Sequence, residues 1–391
     1  MDVASKRLRR LPTYMLGTLR SRTLERRREG ADVIDLGMGN PDLRTPQPVI
    51  DKLCEAAQDV RNHRYSQSKG VYNLRREIAW HYERRFGVDL DPEHEAVAVI
   101  GTKEGLCLLA LGIIDEGDVA IIPDPTYPIH MYSIVTAGGS VISVPLREEN
   151  DFIPNLATIV QDIYPKPKIL ILSFPHNPTG AVVDLAFFEE VIHYAKRHNI
   201  MVVHDLAYAD LAYDGYVAPS ILQVQGAKDI AVEFYSLSKS HSMAGWRIGF
   251  AVGNRDILSA LSRIKSYYDY GIFAPVQIAA IMALRTEEHI LKETVNTYRT
   301  RRDVLVESMA RIGWEIPSPK ATIFAWAPIP EAHREAGSMA FATKMLEEAD
   351  VCVSPGVGFG AHGEGFVRIA LVENENRIRQ AVRQMKRVLD P

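Results

Sequence analysis

The sequence is poor in cysteine and has no long apolar run. Its three cysteines, Cys54, Cys107 and Cys352, are widely spaced and odd in number. They form neither a disulfide framework nor a zinc-ligand pattern. No segment has enough consecutive apolar residues to span a membrane, and the first thirty residues lack the apolar core of a signal peptide. We therefore expect a cytoplasmic protein that binds neither a metal ion nor a membrane.

A large excess of charge of one sign is missing too. The 391 residues include 45 lysines and arginines against 49 acidic residues, a formal net charge of −4. Such a balance provides no bulk attraction to nucleic acid. The first thirty residues are locally basic, but Glu25 and Glu29 lie among the arginines and no aromatic platform accompanies them. We interpret this stretch as a solvated, partly helical arm and expect no nucleic-acid partner.

Chain length and the order of the predicted elements indicate two domains. A chain of 391 residues exceeds what one hydrophobic core usually supports. Up to about residue 290, short apolar strands alternate with helical patterns, which predicts an α/β unit with a mostly parallel sheet and helices on both faces. The later pattern predicts a smaller α+β unit. We expect an N-terminal arm at 1–45 that joins the small domain, a large domain at 46–290 and the small domain at 291–391.

A single lysine follows an apolar run that predicts a buried strand. This residue, Lys239, is flanked by apolar residues and hydroxyl groups, so its amine is poorly hydrated, deprotonates readily and can form a Schiff base with a carbonyl. The hydroxyls of Ser236 and Ser238, with Arg247 on the next predicted strand, can hold a phosphate. An aldehyde that carries a phosphate is pyridoxal 5′-phosphate. Taken alone, the motif fits a solvent-exposed lysine beside a serine-rich turn equally well.

Other polar residues also stand where predicted strands end. Asn177 follows one buried strand, and Asp205 and Tyr208 follow the next. Ligands bind at the carboxyl ends of parallel strands, so we expect these residues to meet Lys239 around one ligand. A buried carboxylate at Asp205 can keep the ring nitrogen of pyridoxal phosphate protonated, although an aspartate there can also cap a helix. Together with Lys239, the cofactor interpretation is favoured.

Several motifs resemble one enzyme family. Asn177-Pro-Thr-Gly180, Asp205-x-x-Tyr208 and Ser236-x-Ser-Lys, with Arg247 eight residues further on, are similar to the signature of the class I/II aminotransferases of fold type I. The similarity extends over nearly the whole chain. Shorter sequence motifs, such as Tyr127-Pro-Ile-His130, resemble those of the bacterial glutamate–pyruvate (alanine) aminotransferases and their relatives, the LL-diaminopimelate aminotransferases. The family implies pyridoxal 5′-phosphate as cofactor and a homodimer.

The resemblance also implies a role for each site residue. Lys239 would carry the Schiff base and move the proton between the substrate Cα and the cofactor C4′. Asp205 would pair with the ring nitrogen, Asn177 and Tyr208 would hydrogen-bond the ring 3′-oxygen, and Tyr127 would stack on the ring. The residues implied to hold the phosphate are Thr102, Lys103, Ser236, Ser238 and Arg247, with Tyr65 of the partner subunit.

The substrate side is less defined. Gly39 lies in the loop that approaches the substrate in the family, where Asn177 also contributes. Arg368 stands on an otherwise apolar predicted strand, so its charge needs a partner. A structural salt bridge is possible, whereas the resemblance favours a bidentate grip on the substrate α-carboxylate. The aspartate aminotransferases hold the distal carboxylate with an extra arginine of the partner, but the stretch 266–273 offers aromatic residues instead.

We predict a homodimeric ping-pong aminotransferase that acts on an amino acid and a 2-oxo acid. L-alanine or glutamate is the expected donor, with 2-oxoglutarate or pyruvate as acceptor. LL-diaminopimelate or aspartate is the alternative donor. A rival of another reaction class is β-elimination by a C–S lyase, because it uses the same cofactor residues.

Overall fold

The computed structural model describes residues 3–155 and 165–389. The predicted domain ranges also include residues 1–2, 156–164 and 390–391, which lie outside the described residues. The α-helices are α1 (Lys6–Arg9), α2 (Met15–Arg28), α3 (Gln47–Gln58), α4 (Tyr72–Phe86), α5 (Thr102–Ile113), α6 (Pro128–Ala137), α7 (Leu185–His198), α8 (Leu237–Ser240), α9 (Arg255–Tyr268), α10 (Ala274–Leu284), α11 (Glu288–Ala310), α12 (Glu331–Arg334), α13 (Ser338–Ala349) and α14 (Glu375–Leu389). The strands are β1 (Ile34–Asp35), β2 (Ala96–Val99), β3 (Val119–Asp124), β4 (Ser140–Pro145), β5 (Ile169–Leu172), β6 (Met201–Asp205), β7 (Ala231–Ser236), β8 (Gly249–Gly253), β9 (Phe324–Pro328), β10 (Val351–Cys352), β11 (Ser354–Pro355) and β12 (Phe366–Ala370).

A seven-stranded sheet forms the centre of the larger unit. Its strand order is β2-β8-β7-β6-β5-β3-β4, and only β8 runs antiparallel to its neighbours. Alternate residues of β5 pack into two different apolar clusters, Leu170 and Leu172 into one and Ile169 and Ile171 into the other. Helices thus cover both faces, which explains why the strand is apolar throughout. The predicted mostly parallel mixed sheet is confirmed.

Two smaller sheets lie beyond it. Strands β11, β12 and β9 form an antiparallel sheet, and β1 pairs in parallel with β10. The apolar run at 351–354, whose pattern predicts a single strand, is divided between these sheets, because Val353 separates β10 from β11. A run of four residues cannot reveal by its pattern alone that it changes pairing partner.

The N-terminal arm packs against this smaller unit. Leu19 of α2 is buried and belongs to an apolar cluster with Cys352. Further along α2, Arg22 pairs with Glu347 at 2.8 Å and Arg26 with Asp350 at 2.8 Å. The helical part of the arm interpretation is therefore confirmed, but α2 is docked along one side rather than solvated all round. The domain boundaries at residues 45 and 290 stay a prediction.

Amphipathic helices close the smaller unit. Helix α14 covers the range that its apolar spacing predicts and buries Ile378, Val382 and Met385 along one face. Within residues 3–155 and 165–389, no helix combines the length and the apolar character that crossing a membrane requires.

Candidate active site

A cavity of about 450 Å³ lies where the carboxyl ends of β5, β6 and β7 face the small sheet. This volume suits a small-molecule site. It is lined by all but one of the residues that the sequence nominates, namely Gly39, Thr102, Lys103, Tyr127, Asn177, Asp205, Tyr208, Ser236, Ser238, Lys239, Arg247 and Arg368. Residues from distant parts of the chain therefore share one cavity, as the strand-end argument predicts.

Lys239 presents its amine to the cavity from α8, the short helix that follows β7. Its Nζ donates a hydrogen bond to the backbone oxygen of Gly39 at 2.9 Å. Burial, reinforced by the positive charges of Arg368 and Arg247 and opposed by Asp205, lowers the pKa of Lys239 to about 8. A much larger share of this amine is neutral near neutral pH than for an exposed lysine, which is the form that attacks a carbonyl.

Asp205 ends β6 and is held by a chain of buried side chains. Its Oδ2 lies 2.9 Å from His130 Nε2, and His130 Nδ1 lies 2.8 Å from the hydroxyl oxygen of Thr126. An ionised carboxylate only accepts, so this contact requires a hydrogen on Nε2, and in a neutral imidazole Nδ1 is then the acceptor for the hydroxyl. A turn rather than a helix follows Asp205, so the helix-cap alternative has no support. The sequence assigns no role to His130, although its spacing of four from Thr126 is a usable signal.

The start of α5 and Arg247 form a cationic, hydroxyl-rich corner. The first turn of a helix leaves backbone N–H groups free, here those of Thr102 and Lys103. A Cβ at Gly101 would overlap the guanidinium of Arg247, so only glycine lets this side chain lie across the helix start. Arg247 donates to the Ala244 oxygen at 2.9 Å, and among the described residues no carboxylate pairs with it. Such a corner suits a phosphate.

The position of Arg247 differs from the expectation in one respect. It lies in the turn before β8 with φ 54°, not on the strand. The apolar neighbours Trp246 and Ile248 imitate a strand pattern, whereas the left-handed backbone turns the guanidinium toward α5.

Arg368 is a buried cation in the middle of β12, 5% exposed. Its guanidinium donates to Asn177 Oδ1 at 2.9 Å and to the Gly37 oxygen at 3.0 Å, and lies between the rings of Phe324 and Phe359. In the part of the chain that the structure describes, no carboxylate pairs with it, and its buried Nε has no hydrogen-bond partner. Burial lowers the pKa of Arg368 to about 10. The salt-bridge alternative thus lacks a partner, and the site suits an anionic ligand.

Two tyrosines stay neutral beside these charges. Burial raises the pKa of Tyr127 to about 12 and raises that of Tyr208 further. Both phenols therefore keep their protons and can donate hydrogen bonds within the cavity.

Tyr65 is the nominated residue that does not line the cavity. Its side chain is 86% exposed and its ring lies 4.7 Å from that of Tyr270. Other large aromatic side chains near Tyr270 in the sequence are exposed as well, namely Tyr267, Tyr268 and Phe273. An exposed aromatic group of this size is typical of a protein interface.

The arm contributes a wall that the sequence does not nominate. The start of α2 faces the cavity with Leu16, Gly17, Leu19 and Arg20, and Tyr14 lines it as well. The ring centroid of Tyr14 lies 5.9 Å from Lys103 Nζ. Arg20 escapes sequence reasoning because it is one of many arginines in a basic stretch.

Pyridoxal 5′-phosphate, the cofactor that the resemblance implies, fits these residues. The Arg247 corner, opened by Gly101, suits its phosphate, and the held carboxylate of Asp205 suits its ring nitrogen. The weakly basic amine of Lys239 suits its aldehyde. The phosphate, the ring nitrogen and the aldehyde of the cofactor thus each have a matching protein group in one cavity.

Comparison with known proteins identifies relatives along the whole chain. The family model of class I and II aminotransferases matches residues 31–385. The chain is 52% identical over 380 residues to the glutamate-pyruvate aminotransferase AlaC of Escherichia coli (strain K12), covering 97% of this chain and 92% of the relative. It is 43% identical over 385 residues to the LL-diaminopimelate aminotransferase of Moorella thermoacetica, covering 98% of both. A solved double mutant of the Thermus thermophilus aspartate aminotransferase superposes with a TM-score of 0.92 at 28% identity, covering 99% of this chain and 100% of that one.

Proposed function

Because the chain belongs to the class I and II aminotransferases, which depend on pyridoxal 5′-phosphate, we propose that it exchanges the amino group between L-alanine or L-glutamate and 2-oxoglutarate or pyruvate. The 52% identity to a glutamate-pyruvate aminotransferase supports this choice of substrates. LL-diaminopimelate, the substrate named for relatives at 43% identity, is the alternative donor, and aspartate is another.

One observation carries the proposal. The amine of Lys239, the carboxylate of Asp205 and the guanidinium of Arg368 face one cavity. Transamination needs a group that transfers a proton at the substrate Cα, a group that keeps the cofactor ring protonated and a group that binds the α-carboxylate. These three side chains supply them in that order.

We propose the following division of work. When bound, pyridoxal phosphate supplies a carbonyl that condenses with amines and a ring that withdraws electrons. Lys239, whose pKa is lowered to about 8, accepts and returns the proton at the substrate Cα. Asp205, oriented by His130, holds the proton on the ring nitrogen. Arg368 orients the substrate by binding the substrate α-carboxylate. This carboxylate supplies the negative charge that no side chain of the described residues provides to Arg368.

The remaining residues position the cofactor. Asn177 and Tyr208 would hydrogen-bond the ring oxygen, and Tyr127 would lie against the ring. Asn177 Oδ1 already accepts from Arg368, so its NH₂ group is the one available to a ligand. The groups proposed to bind the phosphate are Thr102, Lys103, Ser236, Ser238 and Arg247.

We infer a homodimer in which Tyr65 of the partner subunit reaches the phosphate. The exposed position of Tyr65 outside its own cavity, beside the exposed ring of Tyr270, supports this inference. A cytoplasmic location stays a prediction.

A donor–acceptor panel on the purified holoenzyme tests the substrates. We expect the highest kcat/KM with L-alanine and 2-oxoglutarate, compared with L-aspartate and LL-diaminopimelate under the same conditions. Preference for LL-diaminopimelate would replace the proposed donor. Release of pyruvate and ammonia from a cysteine conjugate without any 2-oxo acid would instead favour the C–S lyase.

A further inference from the structure

Arg20 stands apart from the other arginines on α2. It lies on the face that turns toward the cavity, one residue after the buried Leu19 and one helical turn after Leu16, which also line it. Arg22 and Arg26 lie outside that wall and pair with acidic residues of the smaller unit. Among the described residues, the Arg20 side chain has no ion-pair or hydrogen-bond partner, and it is exposed.

The position of Arg20 is defined from both sides. Before α2, Arg10 donates to the backbone oxygens of Gly138 and Gly139 at 3.2 and 2.7 Å, which attaches the arm to the end of α6. After Arg20, the Arg22–Glu347 pair attaches α2 to α13. The segment between the two attachments therefore crosses the cavity, and Arg20 extends from its inner face.

The cavity wall has more positive groups than the cofactor and an α-carboxylate require. Its cations are Arg20, Lys103, Lys239, Arg247 and Arg368, and its carboxylates are Asp35 and Asp205. Both carboxylates have donors already: Asp35 accepts from the backbone N–H of Gly37 and Met38, and Asp205 from His130. Four of the five cations have a task in the proposed function, and Arg20 has none.

We propose that Arg20 binds the distal carboxylate of a dicarboxylic substrate, such as L-glutamate or 2-oxoglutarate, an assignment that rests on the proposed aminotransferase function. Its planar guanidinium can bind a carboxylate through two parallel hydrogen bonds. Arg20 comes from the arm of the same subunit. The stretch 266–273, considered above as a source of an arginine that binds the distal carboxylate, offers aromatic residues instead.

The exposure of Arg20 explains how one cavity can serve substrates of different length. When the substrate is L-alanine, an exposed guanidinium remains solvated and costs little free energy. A buried cation such as Arg368 is not solvated by water, so leaving it without an anion costs free energy. It therefore suits the α-carboxylate, which every substrate has. Arg20 therefore favours dicarboxylic substrates without excluding alanine.

The test compares Arg20→Gln with Arg28→Gln, since Arg28 is exposed on the same helix but outside the cavity wall. Arg20→Gln should lower kcat/KM for L-glutamate about 10- to 100-fold, the usual effect of losing hydrogen bonds to a charged group. The value for L-alanine should change by less than about twofold, and Arg20→Lys should restore part of the loss. Arg28→Gln should leave both values unchanged.

Calorimetric titration of the holoenzyme with glutarate and with propionate provides a second readout. The wild type should bind glutarate more tightly than propionate, and Arg20→Gln should remove that preference. Equal losses for glutamate and alanine, or an unchanged preference for glutarate, would overturn the assignment. If the wild type transaminates no amino acid in the panel, the proposed function fails, whereas the glutarate titration still decides whether Arg20 binds a distal carboxylate.

Discussion

The two walls of the cavity are built on different principles. The wall at the end of the large sheet includes buried side chains whose positions follow from strand pairing, such as Asp205 on β6 and Ser236 on β7. The opposite wall comes from the arm and the loop after β1, where Tyr14 and Met38 are half exposed and Arg20 is exposed. In the proposed assignment, the groups for the shared chemistry thus stand on paired strands, and the group that meets the variable part of the substrate stands on a peripheral element.

The difference follows from how each wall is stabilised. Strand β6 lies between β5 and β7 and hydrogen-bonds to both along its length. The Arg22–Glu347 pair that attaches α2 is exposed, and such pairs add little stability because water and salt screen them. With the proposed roles, substitutions in the first wall should affect every substrate, and substitutions of Arg20 in the second only some.

The largest expected effect is that of Lys239→Ala in the sheet wall. Turnover should fall by more than about 10³-fold for all amino acids, since proton transfer and the link to the cofactor are both lost. The variant should stay folded, because the substitution removes a half-buried cation whose lowered pKa marks it as poorly solvated.

Steady-state assays and a thermal melt beside wild type check this prediction. Ser240→Ala, a neighbouring change outside the cavity wall, serves as the control. Measurable transamination by Lys239→Ala would remove the lysine from the mechanism.

The next effect sharpens the contrast between two arginines. Arg368→Ala should lower kcat/KM about 100-fold or more for alanine, glutamate and aspartate alike, chiefly through KM, because the α-carboxylate is common to all. Arg20→Gln should spare alanine. Measuring kcat/KM of both variants with alanine, glutamate and aspartate tests which carboxylate each arginine binds. A loss restricted to dicarboxylic donors in Arg368→Ala would assign the two arginines the other way round.

The smallest effect concerns the side chains behind Asp205. His130→Gln should weaken cofactor binding and lower kcat about 10-fold, as losses of orienting partners commonly do, because Asp205 loses the donor at 2.9 Å. Thr126→Val should act in the same direction and less strongly, since it removes only the hydroxyl that orients the imidazole. Spectrophotometric titration of the apoprotein with pyridoxal phosphate measures both. An unchanged affinity in His130→Gln would reduce this histidine to a packing residue.

Much of the wall at the end of the large sheet can be predicted from the sequence. The large sheet follows from apolar runs that alternate with helical patterns, because strands covered on both faces must be apolar throughout. The site residues Asn177, Asp205 and Lys239 can be predicted for a related reason. Each is a polar residue that follows such an apolar run, and parallel strands place their carboxyl ends at one edge of the sheet. Local chemistry and the direction of the chain suffice there.

The other wall, and Arg368 on the small sheet, depended on contacts between segments far apart in the chain. Nothing local separates Arg20 from Arg22, since both belong to one basic stretch, and only the docking of α2 turns the first toward the cavity and the second toward Glu347. Likewise, an apolar strand reveals that Arg368 is buried, but the absence of a carboxylate opposite it becomes visible only once β9, β11 and the Gly37 loop surround it. Periodicity records whether a residue is covered, whereas the identity of what covers it is set by long-range packing.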